Sequence, residues 1–425
     1  MTRFKKTLLD NGATVVTEEN PHSNAVACGV WVNTGTRHEK AHEMGISHFL
    51  EHMVFKGTRR RSAFQLARAL EAVGGELNAF TTREYTCYHT LSLPEHLGLC
   101  LDVLADISLN ATFPPNELEL ERGVILQEIA AAQENYEEYL YDTFFERYFA
   151  GSPLGFPILG NEATISSISR AQIRDKYLQK YGGRGLVISV AGQLDHQHVV
   201  DTLAKTIGRH RGRARPVKTE KARYKPFCDI IEKDSDQVHI LVGLPAPSFL
   251  DQTRFDGFIF NALLGGGMTS RLYQKIREKR GLVYSIYSSM NTFIDLGLIN
   301  IYASTSEKNF KQVLTLILSE LSRVTRNGIT DSELKLFKTQ VRGGILLGSD
   351  DVESRMNSLG VNEMVFGRYR PVEEIVSEVE ATDSRSLANY LKKKVPLHRK
   401  GVLVLGPQGT RRHLPWLKEL CREYV

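Results

Sequence analysis

Two histidines and a glutamate within five residues are the strongest candidates for chemistry in this sequence. His48, Glu51 and His52 follow one another in the pattern H-x-x-E-H. Residues four apart lie on one face of a helix, so both imidazoles could bind the same metal ion. Glu51 would then be close enough to accept a proton from an attacking water. The pattern is the inverted form of the H-E-x-x-H zinc motif, and zinc suits two neutral imidazoles and a carboxylate with one position left open.

A third ligand would have to come from elsewhere in the chain, and two glutamates are candidates. Glu121 and Glu128 are seven residues apart, nearly two turns of a predicted helix, and so share one of its faces. One could bind the metal while the other orients a ligand. The spacing does not decide between them, and either could also be an ordinary exposed carboxylate.

Length and composition indicate a folded protein of at least two domains. The chain has 425 residues, of which 42% are hydrophobic and 24% charged, and its net charge is +5. Much of the basic excess lies in 209–225, which we interpret as a solvated linker, with a polyanion-binding patch as the alternative. We find no pattern of basic and aromatic residues typical of nucleic-acid binding and expect no nucleic-acid partner.

The cysteines and the lengths of the apolar segments indicate the compartment in which the protein is expected. The chain has five cysteines, an odd number, and no two of them are spaced as C-x-x-C. Both facts disfavour a disulfide framework and a cysteine zinc site. The N-terminal residues lack an apolar stretch of signal-peptide length, and no run is apolar enough to span a membrane. We therefore expect a cytoplasmic protein without a membrane partner.

The order of predicted elements suggests an α+β protein built from two similar halves. We predict a zinc-binding catalytic domain over 1–208, a basic linker over 209–226 and a related domain without a metal site over 227–425. The elements nearest the motif are a hairpin around Asn11-Gly12, a strand at 23–35, helices at 42–57, 62–75, 97–110 and 116–149, and a strand at 76–93. In the second half we predict a helix over 255–279. His196 and His198, spaced by two in a polar segment, are interpreted as solvated.

These segments resemble the pitrilysin family of inverzincin peptidases (M16), and within it the processing-peptidase branch with its bacterial relatives. HFLEHMVFKGT (48–58) is close to the family signature, and ERGVILQE (121–128) stands at the family's spacing after the second histidine. The resemblance implies that Glu128 is the third zinc ligand and that Glu121 orients a ligand. It also implies a clamshell of two alike halves, each a mixed or antiparallel sheet packed with helices, with one zinc per chain.

The resemblance further implies how substrate is held. The strand containing Asn78, Ala79 and Phe80 would be a sheet edge that receives the peptide as an added strand. Arg277 and Tyr284 would approach the substrate carbonyl from the second half and stabilise the oxyanion.

The same resemblance implies an arginine preference, because Glu138 and Asp142 match acidic positions that accept a substrate arginine. We therefore expect a zinc endopeptidase that cleaves short or unfolded polypeptides in a closed chamber, as a homodimer or as a heterodimer with a related subunit. The alternative is a non-catalytic scaffold or regulatory subunit of the same fold. The presence of all four motif residues disfavours that alternative.

Overall fold

The computed structural model describes residues 3–210, 212, 214 and 219–424, so most of the predicted linker's basic centre lies outside the described residues. The chain forms two compact units that interleave along the sequence. The first unit comprises Met1–Ala131, Phe156–Glu220 and Leu347–Arg370, and the second comprises Ala132–Gly155, Lys221–Leu346 and Pro371–Val425. These units group residues in space, and the division of the sequence at 208 and 227 stays a prediction.

The first unit contains a six-stranded mixed sheet. Its strands lie in the order β1-β2-β6-β3-β5-β4, with only β2 and β6 parallel. They are β1 (Arg3–Leu8), β2 (Thr14–Glu19), β3 (Val26–Val32), β4 (Glu76–Thr81), β5 (Thr86–Ser92) and β6 (Leu186–Gly192). The hairpin at Asn11-Gly12 is confirmed, with Gly12 at a φ of 89°.

A tight turn divides the region predicted as one strand over 76–93, and that prediction is wrong. The Thr82 backbone N–H donates to the Tyr85 carbonyl, and the Thr82 hydroxyl accepts from the N–H groups of Glu84 and Tyr85. The hydroxyl replaces the glycine or proline that usually signals such a turn. The chain therefore reverses between β4 and β5, and β4 lies at the end of the sheet order.

Helices cover both faces of this sheet. Numbered along the whole chain, they are α1 (Ile46–Val54), α2 (Ala63–Glu71), α3 (Leu97–Asn110), α4 (Pro115–Glu134), α6 (Glu162–Ser167), α7 (Arg170–Lys180), α8 (His196–Lys205) and α12 (Val352–Phe366). The helix predicted over 116–149 is wrong as one element, because Asn135 interrupts it and its side chain caps the next helix by accepting from Glu137 and Glu138 N–H. The helix predicted over 42–57 is shorter, since a 3₁₀ turn at Ala41–Glu43 precedes it.

The second unit contains a five-stranded mixed sheet in the order β7-β11-β8-β10-β9. Its strands are β7 (Phe227–Glu232), β8 (Val238–Ala246), β9 (Ser285–Thr292), β10 (Gly297–Thr305) and β11 (Gly401–Gly406). Its helices are α5 (Tyr136–Tyr148), α9 (Arg254–Gly265), α10 (Phe310–Asn327), α11 (Asp331–Gly348), α13 (Val372–Ala381), α14 (Ser384–Lys394) and α15 (Leu414–Glu423).

The helix predicted over 255–279 ends early. Two glycines, Gly266 and Gly267, follow α9, and Tyr273–Glu278 form a π-helix. With two mixed sheets, each packed with helices, the α+β class is confirmed. Among the helices of the described residues, none combines the length and hydropathy needed to cross a bilayer.

Helix α12 is joined to the first sheet although more than 150 residues separate them in sequence. Gly360 lies against Trp31, where a Cβ atom would come 2.2 Å from an indole carbon. The guanidinium of Arg355 donates from Nε to Glu18 on β2 at 2.8 Å, and Tyr369 donates to the same carboxylate at 3.0 Å. Glu18 and Arg355 are both buried, so they neutralise each other away from water.

Replacing Arg355 with methionine should therefore lower the free energy of unfolding by about 3–5 kcal/mol, because a buried carboxylate would lose its cation. Chemical denaturation of the purified variant measures this loss. Arg326→Met, at an exposed position in the last turn of α10, serves as a control. Equal stabilities of the Arg355 variant and the wild type would contradict the prediction.

Candidate metal centre

Helix α1 carries the H-x-x-E-H motif, and a buried carboxylate from outside the helix fixes its first turn. Gly45 stands at the N-cap with a φ of 87°, a backbone conformation that side chains other than glycine rarely adopt. The Glu39 carboxylate accepts from the N–H groups of Gly45 at 2.8 Å and Ser47 at 2.7 Å. Glu39 thus satisfies N–H groups that the helix cannot pair internally, directly before His48.

Burial raises the pKa of Glu39 from 4.5 to about 7, although Lys176 and the hydrogen bonds oppose the shift. The folded state therefore binds more protons than the unfolded state between these values, and the contribution of Glu39 to stability should fall as the pH rises through that window. Relative to Glu39→Gln, the wild type should lose about 3 kcal/mol of unfolding free energy between pH 4 and pH 8. Denaturation at several pH values measures this difference, and parallel pH profiles for the two proteins would refute it.

Three side chains bring possible ligand atoms together above α1. Nε2 of His48 lies 3.9 Å from Oε2 of Glu128, and Nε2 of His52 lies 3.7 Å from the same oxygen. Among the residues that the structure describes, these three form the one cluster of His, Cys, Asp or Glu side chains with ligand atoms within 4.8 Å of one another. Glu128, on α4, is 39% exposed, so the cluster is open to solvent on one side.

The donor set fits a zinc ion. Atoms that each bind zinc at about 2 Å lie less than about 4 Å apart, and Oε2 of Glu128 lies within that distance of both Nε2 atoms. The Glu128 Oε2 atom is buried and has no hydrogen-bond partner among the described residues, which is unusual for a buried polar atom. Burial and the neighbouring His52 lower the pKa of His48 to about 4, so its imidazole is neutral near pH 7, as a metal ligand must be.

Glu121 contacts Nδ1 of His52, the ring nitrogen that does not face Glu128. Its Oε2 atom lies 3.0 Å from Nδ1 of His52, and its Oε1 atom lies 2.5 Å from Nζ of Lys56. A carboxylate on Nδ1 fixes the tautomer that leaves Nε2 free to bind a metal. The structure thus places Glu128 beside the two Nε2 atoms and Glu121 beside Nδ1, on the opposite side of the His52 ring.

Glu51 lies on the same helix, buried beside the strand β4. Its carboxylate accepts a hydrogen bond from the hydroxyl of Thr81, the last residue of β4. Burial raises the pKa of Glu51, and the hydrogen bond from Thr81 opposes the shift. A buried carboxylate with a raised pKa is suited to exchanging protons near neutral pH.

The predicted peptide-binding residues Asn78, Ala79 and Phe80 lie on β4, which pairs with β5 on one side only among the described strands. The Ala79 N–H is exposed and donates to the side-chain oxygen of Asn78 at 2.8 Å. Phe80 packs edge-on against Trp31. The expected edge position of this strand therefore agrees with the sheet order.

The remaining predicted site residues belong to the second unit. Arg277 lies in the π-helix with its guanidinium 4.9 Å from the Tyr273 ring centre, and the Tyr284 side chain is 79% exposed just before β9. Glu138 and Asp142 are one helical turn apart on α5. Their roles toward substrate stay predictions.

The prediction that His196 is solvated is wrong, whereas the same prediction for His198 is confirmed. His196 is buried in the first turn of α8, where its ring nitrogens lie 2.8 Å from the hydroxyls of Thr7 and Thr17. His198 is exposed. The polar residues around them reflect a helix N-terminus, where the Asp195 side chain accepts from the His198 N–H.

Sequence reasoning missed three residues around the motif: Glu39, Lys56 and Thr81. Each one contacts the motif helix or the carboxylate of Glu121. Lys56 follows His52 by four residues, and this spacing could have indicated that both side chains lie on the same face of a helix. Glu39 and Thr81 carry no such signal, because their contacts depend on how the loop before α1 and the strand β4 pack.

Comparisons with known proteins agree with this fold. Residues 14–162 match the family model described as insulinase (peptidase family M16), and residues 167–341 match the model described as the peptidase M16 inactive domain. An uncharacterized zinc protease of Mycobacterium tuberculosis is 37% identical over 417 residues, which cover 97% of this chain and 95% of that protein. An uncharacterized zinc protease of Bacillus subtilis is 34% identical, with 96% and 99% covered.

Solved structures show the same fold at lower identity. A protease from Helicobacter pylori has a TM-score of 0.89 at 18% identity, covering 96% of this chain and all of that chain. A protein from Pseudomonas fluorescens described as a peptidase M16 inactive domain has a TM-score of 0.88 at 19% identity, with 96% and 98% covered. Fold, motif and relatives together define a two-sheet peptidase of the zinc-protease class. The chain belongs to peptidase family M16, the insulinase family.

Proposed function

We propose that this chain is a zinc-dependent endopeptidase that binds one zinc ion and cleaves short or unfolded polypeptides. The observation that carries the proposal is the convergence of His48, His52 and Glu128 beside Glu51. The relatives named zinc proteases, which align over nearly their whole length, support it. Zinc at this position would supply Lewis acidity, polarising the scissile carbonyl and acidifying water.

The residues of the chain would supply positioning and proton transfer. Glu51 takes a proton from the attacking water and returns it to the leaving amine. Thr81 occupies one side of the Glu51 carboxylate and thereby fixes its orientation. Glu121 holds His52 in the tautomer whose Nε2 faces Glu128.

Substrate would bind in extended form along the free edge of β4. Backbone pairing with an edge strand binds peptides with little sequence demand. A cavity of about 320 Å³ lies between α2 and β4 and could hold one side chain of the peptide. Its lining includes the apolar residues Phe55 and Leu77 and the acidic residues Glu71 and Glu76. To pair there, the peptide would displace the Asn78 side chain from the Ala79 N–H.

The second unit would supply further substrate contacts. The exposed Arg277 and Tyr284 are suited to hydrogen bonding an oxyanion, and Glu138 with Asp142 could accept an arginine of the substrate. Support for these roles comes from the resemblance and from the placement of each pair within one local segment.

Digestion of a mixed peptide library, with and without a chelator, tests the proposal. We expect cleavage that stops on chelation and returns with zinc, with arginine enriched near the cleaved bonds. Glu138→Gln and Asp142→Asn should then weaken only the arginine enrichment. Cleavage unaffected by removal of the metal would refute the zinc mechanism.

Replacing Thr81 with valine should lower kcat about 3- to 30-fold with little change in KM, because the Glu51 carboxylate loses the hydroxyl that orients it. Thr81→Ser keeps the hydroxyl and should retain most activity. Steady-state kinetics on a fluorogenic peptide measures both values. A rise in KM without a fall in kcat would instead assign Thr81 to substrate binding.

A further inference from the structure

A lysine just beyond the motif helix completes a chain of contacts to the metal cluster. Helix α1 ends at Val54, and the Lys56 N–H donates to the Met53 carbonyl, which continues the last turn. This turn brings the Lys56 ammonium to the side of the helix that carries His52. There Nζ lies 2.5 Å from Oε1 of Glu121, whose other oxygen lies 3.0 Å from Nδ1 of His52.

The two oxygens of Glu121 therefore have different partners. The Glu121 side chain is only 8% exposed, and a nearby cation stabilises a buried carboxylate. Lys56, whose side chain is 28% exposed, supplies a full positive charge at Oε1. Oε2 is left directed at the imidazole.

We propose that Lys56 is a positioning residue of the metal centre, acting through Glu121 on His52. The ammonium fixes the rotation of the carboxylate, the carboxylate fixes the ring of His52, and the ring directs Nε2 toward Glu128. The contact also ties the end of α1 to α4, the helix that carries Glu128. The inference rests on the proposed zinc site and adds a residue outside its ligand set.

The proposal predicts coupling between Lys56 and Glu121 that a merely structural lysine would not show. Two residues acting through one contact give non-additive effects when both are replaced. Loss of the Glu121 carboxylate should weaken zinc binding about 10- to 100-fold, as for other groups that orient a metal-bound histidine. Loss of Lys56 alone should weaken it about 3- to 10-fold, because the carboxylate remains but rotates more freely. In a chain that already carries Glu121→Gln, loss of Lys56 should change nothing further.

Competition of the apo protein with a chromophoric zinc chelator, at fixed pH, measures these affinities without any peptide substrate. The variants are Lys56→Met, Lys56→Gln, Lys56→Arg, Glu121→Gln and the double variant Lys56→Met/Glu121→Gln. Lys56→Arg keeps the charge and should recover most of the affinity. Lys205→Met, at an exposed position on α8, serves as the matched control. Circular dichroism and thermal melts of the apo proteins identify any variant that fails to fold. If Lys56→Met does not fold, the zinc affinities of Lys56→Gln and Lys56→Arg are compared instead.

Unchanged zinc affinity in both neutral Lys56 variants would overturn the proposal. An equal loss in the wild-type and Glu121→Gln backgrounds would overturn it too, because Lys56 would then act independently of the carboxylate. Peptide cleavage is measured separately. A protein that binds zinc with the predicted coupling but cleaves no peptide would leave the role of Lys56 standing and refute the proposed function.

Discussion

Replacing Glu51 with glutamine should strongly reduce peptide hydrolysis while the protein still binds one zinc ion. Glutamine keeps the shape of the side chain and can still accept from Thr81, but it cannot take up a proton from water. We expect kcat to fall by about 10²- to 10⁴-fold, the usual contribution of a general base. Metal analysis and peptide cleavage on the same preparation measure both parts of the prediction.

This substitution also separates an enzyme from a non-catalytic subunit of the same fold. Glu162→Gln, at an exposed position in the first turn of α6, should leave both zinc content and hydrolysis unchanged. If hydrolysis by the wild type were no faster than by the Glu51 variant, the chain would be a scaffold or regulatory partner. Loss of zinc along with activity would instead give Glu51 a role in holding the ion.

Replacing Glu128 with glutamine should weaken zinc binding more than replacing any other carboxylate near the motif. Glu128 supplies the oxygen that faces both Nε2 atoms, so the variant loses a charged ligand rather than an orienting contact. We expect a loss of more than about 100-fold, compared with about 10- to 100-fold for Glu121→Gln. Chelator competition measures the two affinities side by side.

Comparing the zinc affinities of these two variants shows which glutamate binds the metal and which orients a ligand. The spacing of the two glutamates in the sequence does not decide this. Both lie on α4 and both approach the motif helix, but only the folded structure shows which nitrogen each one faces. A greater loss of zinc in Glu121→Gln than in Glu128→Gln would reverse the assignment. Both apo variants should retain the wild-type circular dichroism spectrum, since glutamine has nearly the same shape as glutamate and can keep its hydrogen bonds.

Local patterns predicted the parts of the fold that local contacts determine. Helix α3 has the bounds that its apolar pattern predicts, and the turn at Gly12 follows from the need for a positive φ. His48 and His52 were recognisable because their spacing matches one helical turn. Such features depend on residues a few positions apart, and so they can be identified in one sequence.

Features set by distant contacts were not predictable in this way. The Thr82 hydroxyl closes a turn that contains no glycine or proline, so the local sequence predicts one strand where the structure has the hairpin of β4 and β5. Helix α12 packs against Trp31 on β3 through Gly360, a contact between residues more than 300 positions apart. The buried carboxylate of Glu39 reaches the first turn of α1 only because the preceding loop folds back on that helix.

The most direct test of the metal centre is a crystal structure of the zinc-loaded protein, with the ion identified from anomalous scattering at the zinc edge. We predict one zinc per chain, about 2.0–2.2 Å from Nε2 of His48, Nε2 of His52 and a carboxylate oxygen of Glu128. Glu121 should contact Nδ1 of His52 and not the ion. Zinc bound through Glu121, or bound elsewhere with Glu128 beyond reach of both imidazoles, would contradict the assignment.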